Sequence, residues 1–219
     1  TRTAVENLEK EGFPHQLTGQ TRQALVNVGD VMYDAAIYYG DQAQEKSRIM
    51  QTLALAPKAF VLATIHRAEN TDNPDRLQNI MAALNQIAVE MPVILPLHPR
   101  TKQKLVLADF SFVSFIDPLG YLDMVMLEKN ARVIITDSGG VQKEAFFHGV
   151  PCVTVRDETE WVELVALGAN DIAGSKKEDI IKSYHFMKNK SVEAISLYGN
   201  GNSSSKIVSF LTESIIRSS

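Results

Sequence analysis

Cysteine occurs once in the chain, as Cys152, so no internal disulfide can staple the fold. It lies in the apolar run Pro151-Cys152-Val153-Thr154-Val155, where a small buried hydrophobe is expected. A lone thiol fits a reducing cytoplasm, the location expected for the protein. Long hydrophobic runs are also missing: nothing approaches the roughly 18 apolar residues of a membrane span, and the opening residues do not resemble a signal peptide. Basic surplus is absent, since 22 Lys and Arg face 26 Asp and Glu for a net charge of −4. That balance argues against nucleic acid or an anionic membrane as the main partner. No set of His, Cys and Asp has the spacing of a zinc site, so no metal is expected. Neither GxGxxG nor GxxxxGK[ST] occurs, which removes the dinucleotide and P-loop fingerprints. Repeats, heptads and low-complexity tracts are lacking too. The nearest approach is GNGNSSS (199–205), a hinge-like loop that should end by capping the last helix.

What is present is a chain of 219 residues, 45% hydrophobic, enough to bury a sizeable core. The first residues, TRTAVENLEKEGF, read as mid-helix, which suggests a piece of a longer protein lacking its N-terminal part. Short β-branched runs then alternate with segments of helical period. Strands are expected at Leu25–Val28, Phe60–Ile65, Val93–Leu97, Phe112–Ile116, Val133–Thr136, Cys152–Val155 and Asp171–Ala173. Helices are expected at Thr3–Glu11, Asp30–Leu55, Pro74–Glu90, Lys102–Ala108, Tyr121–Lys129, Val141–His148, Glu160–Leu167, Lys177–Lys188 and Ser204–Arg217. Strands apolar on both faces, in strict alternation with helices, imply an α/β fold: a Rossmann-like, doubly wound parallel sheet.

Ligands of such sheets sit beyond the carboxyl ends of the strands, so the residues following each strand form one set. They are His66-Arg67, His98-Pro99-Arg100, Asp117-Pro118, Asp137-Ser138-Gly139-Gly140 and Arg156-Asp157-Glu158-Thr159-Glu160. Ser138-Gly139-Gly140 opens a helix, where each glycine costs about 1 kcal/mol against alanine. Two readings stand: a glycine turn with a serine cap, or an anion site in which phosphate approaches bare backbone at the positive end of a helix dipole. Glu144, near the end of that helix's second turn, is either a solvated glutamate or an acceptor for the vicinal hydroxyls of a ribose. Arg67 could neutralise phosphate through its planar fork, and His66 could move protons or hold a leaving phosphate. A capping histidine is the plainer alternative, and His98 repeats the placement, with Pro99 suited to the first position of a helix. The acidic run 157–163 is expected to cap a helix, with most carboxylates facing solvent or meeting Arg156. Trp161, the only tryptophan, is expected to pack a helix against the sheet.

Several motifs together resemble one known family. They are TxHRxEN at Thr64–Asn70, TDSGGxQxEA at Thr136–Ala145, RDxTE at Arg156–Glu160, TAVENLxxEG near the start, VGDVMYDA at 28–35 and YGNGNSSSKI at 198–207. In this order they resemble the non-hydrolysing UDP-N-acetylglucosamine 2-epimerases, along the whole chain. The resemblance implies the C-terminal half of a two-domain GT-B enzyme. Residues 1–38 would be the end of the N-terminal domain and the crossover, 39–198 the UDP-binding domain, and 199–219 a helix returning towards the N-terminal domain. It implies conversion of UDP-GlcNAc to UDP-ManNAc by elimination and re-addition of UDP, for surface polysaccharide, without a cofactor because no hydride moves. A homodimer is expected of the full-length protein. His66 matches the family's functional histidine and Glu144 its ribose-binding glutamate. Arg67, His98, Ser138, Gly139 and Gly140 would hold UDP, with Glu69, Thr159 and Glu160 near the sugar and phosphates. The acid/base carboxylates would lie in the other half, leaving this chain a weak UDP binder without turnover. Departures bear on the sugar. Trp161 replaces the arginine of TERPE, Met124 replaces an aromatic, and His98-Pro99-Arg100 replaces HLNP. TEWVEL resembles relatives acting on other UDP-sugars, including UDP-2,3-diacetamido-glucuronic acid. A GT-B glycosyltransferase is the remaining alternative.

Overall fold

The computed structural model of the chain describes residues 1–14, 24–193 and 196–216. These fold as two compact units, Thr1–Tyr38 with Ile195–Ser219, and Tyr39–Ala194. In the larger unit six parallel strands form one sheet in the order β3-β2-β1-β4-β5-β6. The strands are β1 (Val61–Thr64), β2 (Val93–Pro96), β3 (Ser114–Ile116), β4 (Val133–Thr136), β5 (Cys152–Thr154) and β6 (Asn170–Ile172). The helices, counted along the whole chain, are α1 (Arg2–Lys10), α2 (Val31–Lys46), α3 (Ile49–Thr52), α4 (Ala68–Thr71), α5 (Pro74–Ile87) and α6 (Pro99–Lys102). They continue with α7 (Tyr121–Asn130), α8 (Gly139–Phe147), α9 (Val162–Ala166), α10 (Lys177–Met187) and α11 (Ser203–Ile216).

The period-two alternation of a strand sorts its side chains onto two cores. Val61, Ala63 and Ile65 pack with Leu77, Ile80, Met81 and Leu84 of α5 and with Ile180, Tyr184 and Met187 of α10. Phe60 and Leu62 pack on the other face with Ile49, Met50, Leu127, Ala145 and Val150. Cys152 joins this second core, only 1% exposed, and its burial pushes the thiol up to about 12. No helix among the described residues is long and apolar enough to cross a membrane.

Several local expectations fail for identifiable reasons. Residues 25–28 form no strand: Val26 is exposed, Asn27 Oδ1 accepts from Gly29 N at 3.2 Å, and Gly29 turns the chain at φ +97°. The long helix expected over 30–55 breaks at Ser47, whose hydroxyl accepts from Ile49 N at 3.2 Å and restarts the chain as α3. The helix expected over 102–108 is instead the short α6, opened by Pro99, and a 3₁₀ turn at Leu107–Phe110. The acidic run caps no helix: α9 starts only after Trp161 and has no side-chain cap. The last helix forms, and Arg217 lies outside the described residues. Its cap comes from afar within the smaller unit, where the Asp34 carboxylate accepts from Ser203 N at 3.1 Å and Ser204 N at 2.7 Å. Burial acts against this charge, yet the Ser204 and Ser203 bonds hold the carboxyl below its ordinary value.

A buried polar seam joins α7 and α8. Glu128 is 1% exposed, and its Oε2 lies 3.9 Å from Nε2 of His148, the residue that ends α8. Burial, helped by the charges of Lys129 and Lys58, drives His148 down to about 4. The folded protein therefore refuses a proton that the unfolded chain accepts, so this contribution to stability is intact above about pH 6.5 and is lost as pH falls towards 4. Glu128, held above its ordinary value by burial and then by the charge of Glu144, acts in the opposite sense as pH rises. In chemical denaturation across this range, His148→Phe should remove roughly 3 kcal/mol of the acid loss relative to wild type. Parallel curves for the two proteins would show that His148 titrates normally.

Candidate functional site

The direction of strand succession reverses between β1 and β4, which opens a crevice beyond their carboxyl ends. Two segments border it: Ile65-His66-Arg67 after β1, and Asp137-Ser138-Gly139 after β4, leading into α8. A hydroxyl pair, Thr64 Oγ1 to Thr136 Oγ1 at 2.6 Å, ties the two strand ends together. Thr136 Oγ1 also accepts from Ser138 N at 2.9 Å.

Asp137 then fixes the opposite lip. Its fully buried carboxylate accepts from His66 N through both oxygens at 3.1 Å, from Arg67 N at 3.0 Å and from Asn70 Nδ2 at 3.0 Å. Asn70, also fully buried, donates to Val155 O at 2.9 Å and accepts from Arg76 Nε at 3.0 Å. The TxHRxEN segment is thus held from beneath, leaving the His66 and Arg67 side chains exposed. Asp137 and Asn70 were within recognised motifs, but nothing in their spacing announced this role. The signal available was a carboxylate and an amide directly following or near apolar strands, which demand partners once buried.

Ser138 is the N-cap of α8, accepting from Val141 N at 3.4 Å, so both glycines lie in the first turn. Their roles differ. A Cβ on Gly139 would come 2.3 Å from Glu160 Oε1, and Trp161 Nε1 donates to Gly139 O at 2.8 Å. A side chain on Gly139 would have to displace the Glu160 carboxyl that lies over it. A Cβ on Gly140 would meet nothing closer than Ser138 Oγ at 3.8 Å, so Gly140 presents the open backbone of the turn. Trp161 packs on this turn, with the Lys143 ammonium 4.4 Å from its ring centroid, rather than between a helix and the sheet as the sequence suggested.

A chain of alternating charges lines the same place. Arg156, only 7% exposed, reaches Glu160 Oε2 at 2.8 Å and Glu69 Oε1 at 3.5 Å, while Arg67 lies 3.9 Å from Glu160 Oε1. Despite the cost of desolvation, the backbone bond and the two arginines hold Glu160 below its ordinary value. Thr159 faces elsewhere: its hydroxyl donates to buried Gln142 Oε1 at 2.6 Å and anchors the loop to α8.

His98 lies across from His66, ring centroids 6.4 Å apart. Its Nδ1 accepts from Arg100 N at 3.3 Å, so it caps α6, while Arg100 itself turns away to Asp72. His66 caps nothing. Desolvation lowers its affinity for a proton and His98 adds to this, against the pull of Asp137. Glu144 stands one turn beyond Gly140, on the same helix face, and accepts from the Tyr121 hydroxyl at 3.3 Å. Burial raises Glu144, and the Tyr121 bond opposes that rise. Elsewhere a cleft of about 430 Å³ carries Asp171, Asp179 and Lys182 on its wall, a lining with more negative than positive charge.

Asp137→Asn should cost roughly 1–3 kcal/mol in urea denaturation, because an amide cannot accept from all the donors it faces. It should also lower the His66 pKa in an NMR titration, since the Asp137 charge raises it. An unchanged His66 titration would mean that the clasp does not control the histidine.

Comparison with known proteins bears on this arrangement. A sequence profile described as UDP-N-acetylglucosamine 2-epimerase matches residues 1–212. The UDP-2,3-diacetamido-2,3-dideoxy-D-glucuronate 2-epimerase of Pseudomonas aeruginosa is 45% identical over 217 residues, covering 97% of this chain and 58% of that protein. The Methanocaldococcus jannaschii UDP-GlcNAc 2-epimerase, solved in complex with UDP-GlcNAc and UDP, superposes with a TM-score of 0.80 at 37% identity, over 97% of this chain and 59% of that one. The Neisseria meningitidis UDP-GlcNAc 2-epimerase bound to UDP-GlcNAc gives a TM-score of 0.82 at 28% identity, over 97% and 60%. The chain thus spans a little under three fifths of the length of these relatives. An α/β sheet with these motifs on its switch point, matched nearly end to end, belongs to the UDP-N-acetylglucosamine 2-epimerase family.

Proposed function

We propose that this chain forms the UDP-binding part of a UDP-sugar 2-epimerase acting on a 2-acetamido sugar such as UDP-GlcNAc. The observation that carries the reading is the β1/β4 crevice, where Arg67, 3.9 Å from Glu160 Oε1, borders the first turn of α8. Exposed N–H groups at Gly140 and the positive helix end would receive the diphosphate, and Arg67 would neutralise its second charge. Glu144, one turn further along, is placed to accept from the ribose hydroxyls. In the reaction the C1–O bond to UDP breaks as the C2 proton is removed, which leaves a glycal. A proton then enters C2 from the opposite face and UDP re-forms the bond to C1. The demanding electrostatic task for this part of the protein is stabilising the departing diphosphate. His66, exposed and biased towards its neutral form, would assist the leaving group or relay a proton. The carboxylates that work at C2 would belong to the rest of the protein, and with them the remaining domain and a homodimeric assembly.

The sugar itself has a second reading. The Pseudomonas aeruginosa relative named for UDP-2,3-diacetamido-2,3-dideoxy-D-glucuronate is 45% identical to this chain over 217 aligned residues, against 38% over 225 for the Methanocaldococcus jannaschii UDP-N-acetylglucosamine 2-epimerase. Trp161, locked onto the first turn of α8, stands at the position that departs from the UDP-GlcNAc pattern.

Calorimetry should show weak UDP binding by the chain, and Arg67→Ala should reduce it roughly tenfold while leaving uridine binding unchanged. The chain alone should not epimerise. The full-length protein, given each of the two sugars without an acceptor, should form the C2 epimer of one of them. An absolute need for an acceptor would point to a glycosyltransferase, and turnover by the chain alone would show that its own residues suffice at C2.

A further inference from the structure

The crevice already holds an anion, and the protein itself supplies it. Glu160 Oε1 lies 3.9 Å from Arg67 Nη2, and a Cβ on Gly139 would come 2.3 Å from the same oxygen. One carboxylate oxygen thus stands between the Arg67 guanidinium and the first turn of α8, the two groups assigned above to the diphosphate. The other oxygen, Oε2, accepts from Arg156 Nη1 at 2.8 Å. The loop that carries Glu160 is pinned on both sides of it. Thr159 Oγ1 donates to Gln142 Oε1 at 2.6 Å, and Trp161 Nε1 donates to Gly139 O at 2.8 Å. Both anchors grip α8, so the backbone delivers Glu160 to the start of that helix. Its side chain is held less firmly. The side chains of Glu160 and Arg67 are each 42% exposed, and their separation is too long for a hydrogen bond.

Charge makes this arrangement incompatible with a bound diphosphate. Arg67 and Arg156 meet Glu69 and Glu160, two cations against two carboxylates, so the cluster is balanced as it stands. A diphosphate brings further negative charge to the same place, and like charges in contact repel. Arg67 cannot serve the ligand while Glu160 occupies the space between it and α8. Arg156 is held differently: it is buried, 3.5 Å from Glu69 Oε1, and its Nε has no hydrogen-bond partner. We propose that Glu160 is a positioning residue that reserves the diphosphate seat, keeping Arg67 beside the first turn of α8 until an arriving diphosphate displaces it and takes over the arginine. This rests on the assignment of the diphosphate to that turn in the proposed function. The displacement needs only rotation of one half-exposed side chain, because the loop stays anchored through Thr159 and Trp161. Arg156 can keep the displaced carboxylate through Oε2. Glu160 thereby opposes nucleotide binding and favours release, since it refills the seat as the nucleotide departs.

Calorimetry on the 219-residue chain at neutral pH tests this, with UDP, uridine and inorganic pyrophosphate as ligands. Glu160→Gln keeps the shape of the side chain and removes its charge, and it should bind UDP roughly fivefold more tightly than wild type. Glu160→Ala, which empties the seat, should show the same rise. Uridine, which lacks the diphosphate, should bind all three proteins alike. In an Arg67→Ala background the change Glu160→Gln should alter UDP affinity by less than about twofold, because the arginine it frees is gone. Equal or weaker UDP binding by Glu160→Gln would show that the carboxylate helps the ligand, and overturns the proposal. A rise in the glutamine variant alone would trace to its amide and overturns it too. So does a rise that extends to uridine or survives the loss of Arg67. Pyrophosphate separates this inference from the nucleotide reading. If no protein binds UDP but Glu160→Gln binds pyrophosphate more tightly than wild type, the nucleotide reading fails and the reserved seat stands. If neither ligand binds any of the proteins, both fail.

Discussion

The clasp of Asp137 on the turn after β1 is the constraint on which the crevice depends. A parallel sheet orders its strands but does not dictate the path of the loops beyond them. Here one carboxylate, fully buried at the end of β4, satisfies three donors on the neighbouring segment, two of them backbone N–H groups. The charge is tolerable because every face of it is occupied. The same residue precedes the N-cap of α8, so the placement of His66 and Arg67 and the start of the helix are set by a single side chain and its neighbour Ser138. Asn70 extends the clasp to Val155, and through Arg76 to Asp157, so a third strand end is tied into the same network.

Above this floor, the chemistry is a matter of charges distributed around a small opening. Arg67 and Arg156 meet Glu160 and Glu69 in alternation, and Glu160 with Trp161 closes over Gly139. That leaves Gly140 as the exposed part of the turn and narrows where a phosphate would be received. The two glycines therefore differ, one lying under the protein's own carboxyl and one presenting open backbone. Further down α8 the seam with α7 concentrates Glu128, Glu144, Tyr121 and His148 with little solvent. Charge there is set first by burial, which the Tyr121 hydroxyl opposes at Glu144.

Much of the architecture was legible because burial on both faces leaves a plain trace. The run Val133–Thr136 forms a strand with the expected bounds, and Pro74 and Tyr121 open helices where period and punctuation placed them. Failures came where a single side chain overrode a pattern. Ser47 stops a helix whose periodicity continues, and the apolar run 25–28 has no strand partner among the described residues. At the site, the residue types and their convergence on one sheet end could be read from order alone. The clasp of Asp137 and the cover of Glu160 on Gly139 could not, because each depends on contacts between segments far apart in sequence, whereas the capping use of His98, a contact two residues long, was among the readings the sequence offered. Trp161 shows the same limit: its place on the first turn of α8 follows from a loop geometry that its neighbours in sequence do not encode.

The central claim is that a UDP moiety is received between the turn after β1 and the first turn of α8. The most direct measurement is a two-dimensional ¹⁵N–¹H NMR titration of the chain with UDP. The account predicts that the largest amide shifts fall on Arg67, on Ser138 to Val141 and on Glu144, and that the amides lining the acidic cleft at Asp171 and Asp179 stay still. Shifts concentrated at that cleft, or none at Gly140, would contradict it.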